Sequence, residues 1–186
     1  MQRIMFNDKY GLTDAVLDGK KTMTRRVCKE FRTGGIIYAK DVESIGMYSD
    51  ENLVEFAMKD GSVMVSVPHY KVGDVVAVAQ SYKSVFEESL NYALPRYHWL
   101  DDHIDEKGFE NKTFVKASEM PHQIQITDVK VERLQDISSE DAFREGITVY
   151  CSAPRAAFAA LIDKVCGKGT WELNPYVFAY TFELVK

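Results

Sequence analysis

The sequence predicts an α+β fold or a small barrel with peripheral helices, and three observations point that way. Strand-like runs outnumber helix-like ones, they are scattered rather than strictly alternating with helices, and several carry the period-two alternation of a half-buried strand. Neither a GxGxxG fingerprint nor a phosphate-binding P-loop occurs in the 186 residues, so a doubly wound nucleotide fold lacks its motif.

Taken in order, Arg3-Ile4-Met5-Phe6 reads as a short opening strand. Thr13 is placed to cap a helix over Asp14–Asp18, and Gly19 to stop it. The stretch Thr22–Val27 loses helical period and is expected to be extended. Residues 32–50 are mixed, with a turn at Gly34-Gly35. Leu53–Met58 and Ser62–Val67 flank Lys59-Asp60-Gly61, a hairpin pattern, and Pro68 closes the second strand. Lys71-Val72-Gly73-Asp74 turns into Val75–Gln80, apolar enough to be buried on both faces. Residues 84–115 are acidic, aromatic and poorly periodic and are expected to form a loop insertion within a single domain spanning 1–186. His122–Leu134 alternates over a long run and is the clearest strand in the chain. Ser138 and Asp141 form a capping pattern for a helix that Gly146 ends. Pro154 begins another, with Ala157, Phe158, Leu161, Ile162 and Val165 on one face. Asn174-Pro175 turns into a final strand, Tyr176–Leu184.

A net charge of -5 and a pI near 5.4 argue against a protein that coats nucleic acid broadly, but leave room for a local basic patch. That patch is Gly19–Arg26, where four cations (Lys20, Lys21, Arg25, Arg26) and two hydroxyls (Thr22, Thr24) share eight positions. Such a corner suits an anion or a polar heterocycle. Three cysteines without CxxC spacing fit a reduced, cytoplasmic protein rather than a disulfide or zinc framework. No signal peptide and no membrane-spanning run is read from the sequence, and no cofactor or metal is called for.

These residues resemble a known family. Phe6-Asn7 with Val16–Arg26 is similar to the opening of the ASCH domains, a branch of the PUA-like superfamily, and especially to phage and prophage members that read close to KTxTRR. Val72-Gly73-Asp74, the run from Met120-Pro121 through Thr127–Ile137 to Ile147, and Gly167–Val177 resemble the later blocks, in order. The resemblance implies a PUA-like pseudo-barrel with a cleft beside the first helix, binding RNA or a modified nucleoside. It also implies an alternative, since some bacterial ASCH proteins are amidohydrolases that remove the acetyl group of N4-acetylcytidine with a lysine, a threonine and a glutamate. The first two fall on Lys21 and Thr24. The glutamate position holds Gln80, which hydrogen-bonds but carries no proton at neutral pH. The segment after Met120-Pro121 is shorter than in the phage relatives and lacks their arginine-bearing stretch. A third reading is a phage-derived accessory module that contacts another protein.

The chemistry expected of the corner follows from its residue types. A lysine of lowered pKa can take the proton of a threonine hydroxyl, which then attacks an acyl carbon. Arg25 and Arg26 offer forked donors to phosphate or a flat face to a base, and strand alternation turns only one of them into a cleft. The bland alternative is solvated helix-end charges and ordinary strand threonines. Trp171 is a candidate flank of the cleft, though packing is its commoner use. Tyr92, Tyr97 and Trp99 either stack a base or form a satellite core, and His98, Asp102, His103 and Glu106 lack metal-ligand spacing. Cys28 is by default a buried, inert thiol.

Overall fold

A computed structural model describes residues 1–48, 53–91, 102–148 and 150–185. The fold is α+β. Five strands lie in the order β1-β6-β7-β8-β2 and three more in the order β3-β4-β5, and neither set closes into a barrel among the described residues. The strands are β1 (Gln2–Ile4), β2 (Met23–Val27), β3 (Val42–Tyr48), β4 (Leu53–Met58), β5 (Val63–Ser66), β6 (Val75–Val78), β7 (Gln123–Arg133) and β8 (Tyr176–Val185). The described helices are α1 (Leu12–Leu17), α2 (Tyr82–Asn91), α3 (Ser139–Arg144), α4 (Pro154–Cys166) and α5 (Thr170–Leu173). The chain divides into two compact units, the first Met1–Gly19, Asp74–Gln125 and Glu183–Lys186, the second Lys20–Gly73 and Ile126–Phe182.

In the first unit β1 pairs parallel with β6, and β6 antiparallel with the start of β7. Val76, Ala77 and Val78 are fully buried, as their unbroken apolar run predicts. The short helix α1 departs from expectation at its start. Gly11, at φ +64°, is the cap residue, and Thr13 lies inside the helix with its hydroxyl donating to Asp8 Oδ1. Gly19, at φ +70°, stops it as read.

The stretch 84–115, expected as a loop, instead holds most of α2. The Ser81 hydroxyl accepts from the Ser84 backbone N–H at 3.1 Å, which caps the helix. Tyr82 and Val85, one turn apart, enter a core with Ala77, Ala79, Val115 and Met120. Fully burying such side chains is worth about 1.5–3 kcal/mol each. The interspersed glutamates hide this periodicity in the sequence. The Tyr82 ring stacks on His103 at 4.1 Å, and its hydroxyl accepts from the Lys116 N–H at 3.0 Å. His103 lies between Glu106 at 3.2 Å and Glu119 at 3.1 Å. No group of three His, Cys, Asp or Glu among the described residues is placed to hold a metal ion. Tyr92, Tyr97, His98 and Trp99 lie outside the described residues.

In the second unit β3, β4 and β5 form an antiparallel meander. The β4–β5 hairpin turns at Gly61, φ +82°, as the Asp-Gly signal predicts. β3 occupies ground that carries no clear strand pattern. The β2 strand pairs antiparallel with β8, setting Thr24 opposite Tyr180 and Arg25 opposite Ala179. A second core gathers Leu134, Ile137, Ala142, Phe158, Ile162 and Val177, with Trp171 packed against it. Asn174 adopts the left-handed conformation (φ +44°) after α5, and its side-chain oxygen accepts from the Gln135 N–H at 2.9 Å. That is the turn chemistry expected of an asparagine before proline. No described helix is long and apolar enough to cross a membrane.

Candidate functional site

The basic corner opens the second unit. Its backbone is tied at Thr22, whose N–H donates to the Arg144 carbonyl at 2.8 Å and whose carbonyl accepts from the Phe182 N–H at 3.0 Å. The extended conformation through Val27 then alternates the side chains. Arg25 is buried and Arg26 exposed, so only one arginine turns inward. Thr24 is buried on the face of β2 opposite Arg25.

Lys21 is 2% exposed. Its ammonium donates to Glu145 Oε2 at 2.6 Å and to the Glu145 carbonyl at 2.8 Å. That carbonyl stands just past the C-terminal end of α3, where backbone acceptors lack helical partners and the helix dipole favours a cation. Arg25 takes the other carboxylate oxygen, with Nη1 at 3.0 Å from Glu145 Oε1. Its Nε donates to Glu132 Oε1 at 2.8 Å and its Nη2 to Asp141 Oδ2 at 3.0 Å. Lys130 completes the network at 3.1 Å from Glu132 and 3.2 Å from Asp141. The guanidinium carbon of Arg25 also lies 5.9 Å from the Phe158 ring centre, against which Trp171 packs edge-on.

An unpaired charge at this depth would cost several kcal/mol, which explains why each buried cation meets a carboxylate. Burial drives the Lys21 pKa down despite Glu145, and the neighbouring Arg26 and Arg25 charges add to the effect. Burial also works against the Arg25 charge, but Glu145 and Glu132 outweigh it and hold its pKa above the usual value. Asp141 resists the upward pull of its partial burial, and the Lys130 and Arg25 contacts hold it below the ordinary carboxylate range. Cys28 is fully buried and its thiol is pushed up by desolvation, so the cationic stretch before it does not activate it.

The predicted corner thus divides. Lys21 and Arg25 share Glu145, and Arg25 also meets Glu132 and Asp141, three carboxylates that the sequence reading did not assign to the corner. A signal was present, because Asp141 and Glu145 stand one helical turn apart and Lys130 and Glu132 share one face of β7. Lys20 and Arg26 reach the surface, Thr22 is half-buried, and Trp171 belongs to the core around Phe158. Gln80 lies in the first unit. Its Nε2 donates to Glu88 Oε2 at 3.0 Å, and Glu88 Oε1 lies 2.7 Å from His122 Nε2.

No protein-family model matches this chain. No curated protein matches it either. Among solved structures it is similar to a DUF984 protein of Enterococcus faecalis V583, with 13% identity and a TM-score of 0.43, covering 100% of this chain and 81% of that one. It is also similar to an ASCH domain of Lactobacillus crispatus JV V101, with 13% identity and a TM-score of 0.38, covering 95% of this chain and 72% of that one. At such scores neither likeness bears on what this chain binds.

Proposed function

We propose that the protein binds RNA or a modified nucleoside at the basic corner of its second unit. The observation that carries this reading is the division among the cations. Lys21 and Arg25 are buried against carboxylates and hold the corner rigid, while Lys20 and Arg26 reach the surface from the same stretch. Surface lysine and arginine are the donors that phosphate contacts use, and the resemblance of Val16–Arg26 to the ASCH opening supplies the ligand class. Fluorescence anisotropy of a labelled short RNA between about 50 and 200 mM salt tests it. Lys20→Ala and Arg26→Ala each lower the salt slope by about 1. Binding that ignores salt, or that both variants leave intact, overturns the reading.

A second reading is favoured by one contact. Glu145 brings a carboxylate to Lys21, where the amidohydrolases use a glutamate that this chain replaces by Gln80. This chemistry has a neutral Lys21 take the Thr24 proton, so that the hydroxyl oxygen attacks the acyl carbon of an N-acylated base. It requires Thr24 to turn from the face of β2 on which it lies, opposite Arg25, toward Lys21. The amine leaves with the proton from Lys21, and water hydrolyses the threonyl ester. Depression of the Lys21 pKa is the direction this requires. Chromatography of N4-acetylcytidine incubated with the protein tests it, and absence of cytidine ends this reading without touching the first.

A further inference from the structure

The face of β2 that carries Arg26 also carries a row of aromatic rings, all within the second unit. Thr24 and Arg26 share that face, and their cross-strand partners on β8 are Tyr180 and Phe178. The Phe178 and Tyr180 rings are buried, with centres 6.3 Å apart. Tyr180 meets the buried Tyr70 edge-to-face at 5.5 Å, and Tyr70 meets His69 in the same way at 4.6 Å. The row ends at the surface, because His69 is exposed. Its backbone is nonetheless held. Pro68 before it is buried and has a fixed φ, and the His69 N–H donates to the Tyr180 hydroxyl at 2.9 Å. An edge-to-face contact covers at most one face of a ring, so the exposed imidazole keeps a face toward solvent.

An anchored, exposed aromatic ring on the same face as a surface cation is what the base of an unpaired nucleotide stacks on. We propose that His69 is a stacking platform for a base of single-stranded RNA whose phosphate Arg26 contacts. This role rests on the binding at the basic corner proposed above and adds the state of the ligand. A duplex hides its base faces in its own stack and offers none to the imidazole. The net charge of -5 points the same way. The field of the whole chain opposes phosphate contact by a few surface cations, whereas stacking supplies affinity that salt does not screen.

Fluorescence anisotropy of the full chain with a labelled single-stranded RNA of mixed sequence, and with the same RNA as a duplex, tests this. His69→Ala keeps the backbone N–H and its bond to Tyr180. It weakens single-strand binding about tenfold and leaves the melting temperature and the salt slope unchanged. His69→Phe restores the affinity, because a phenyl ring stacks without carrying charge. Duplex binding is the same for wild type and His69→Ala. Salt-dependent binding that falls with Arg26→Ala but ignores His69→Ala overturns the stacking role and leaves the basic corner standing. Absence of salt-dependent binding by wild type overturns both. Failure of His69→Phe to bind, or an equal loss of duplex and single-strand affinity in His69→Ala, overturns the stacking role alone.

Discussion

The buried pair of Lys21 and Glu145 offers the sharpest test of how the second unit is held together. Glu145→Gln keeps the shape of the side chain and removes its charge. Both carboxylate oxygens are in use, Oε2 by Lys21 at 2.6 Å and Oε1 by Arg25 at 3.0 Å. Arg25 retains Glu132 and Asp141, while Lys21 loses its 2.6 Å carboxylate contact. Removing one partner of a buried ion pair costs about 3–5 kcal/mol. For a chain of this length that lowers the melting temperature by about 6–20 °C. In a Lys21→Met background the ammonium is gone, and the same substitution costs less, leaving a coupling of about 0.5–3 kcal/mol. Urea denaturation of wild type, both single variants and the double variant measures all four corners of the cycle. A loss below about 1 kcal/mol, the level of an exposed pair, or simple additivity of the two substitutions refutes the argument.

Other consequences are checked by the same means. Lys21 has a folded pKa below its ordinary 10.5, so between those two values the unfolded chain binds the extra proton. Wild type therefore gains stability relative to Lys21→Met as pH rises through that window, and parallel pH curves for the two proteins contradict this. At Gly108 an added Cβ would lie 2.5 Å from Cε2 of the buried Tyr82 ring. Gly108→Ala is expected to destabilise by about 1–3 kcal/mol, read as a shift in denaturation midpoint, while a neutral substitution means that the ring has room to move. Asn174→Ala loses both the bond to Gln135 and an asparagine's tolerance of positive φ, costing about 1–2 kcal/mol. Asn174→Gly recovers the second part only, and equal stabilities for the two variants would contradict this division.

What could be read ahead of the structure was local. The alternation of His122–Leu134 becomes β7, the Ser138 cap holds α3 with its hydroxyl 2.9 Å from the Asp141 N–H, and Pro154 begins α4 as read. The basic stretch was legible as a feature, but the state of its charges was not. That only one of the two arginines is buried follows from strand parity, and the spacing of Asp141 and Glu145 and the shared face of Lys130 and Glu132 hint at a carboxylate cluster, whereas the long-range pairing of that cluster with Lys21 and Arg25 leaves no local pattern. α2 was missed for a related reason. Its apolar contacts, Tyr82 and Val85, fall among serines and glutamates, so only the core they enter reveals the helix.

The ion-pair cluster also constrains the order in which the second unit assembles. Lys21 and Glu145 are separated by 124 positions, so their contact forms only after a very long loop has closed. Until then the cations stay hydrated, and their desolvation is deferred to the last consolidation of the unit. Charge substitutions here should therefore act mainly on the unfolding limb of a chevron plot, hastening escape from the native basin while leaving the folding rate nearly unchanged. Such a result would make this network a kinetic lock, setting how long the folded protein persists more than how fast it forms.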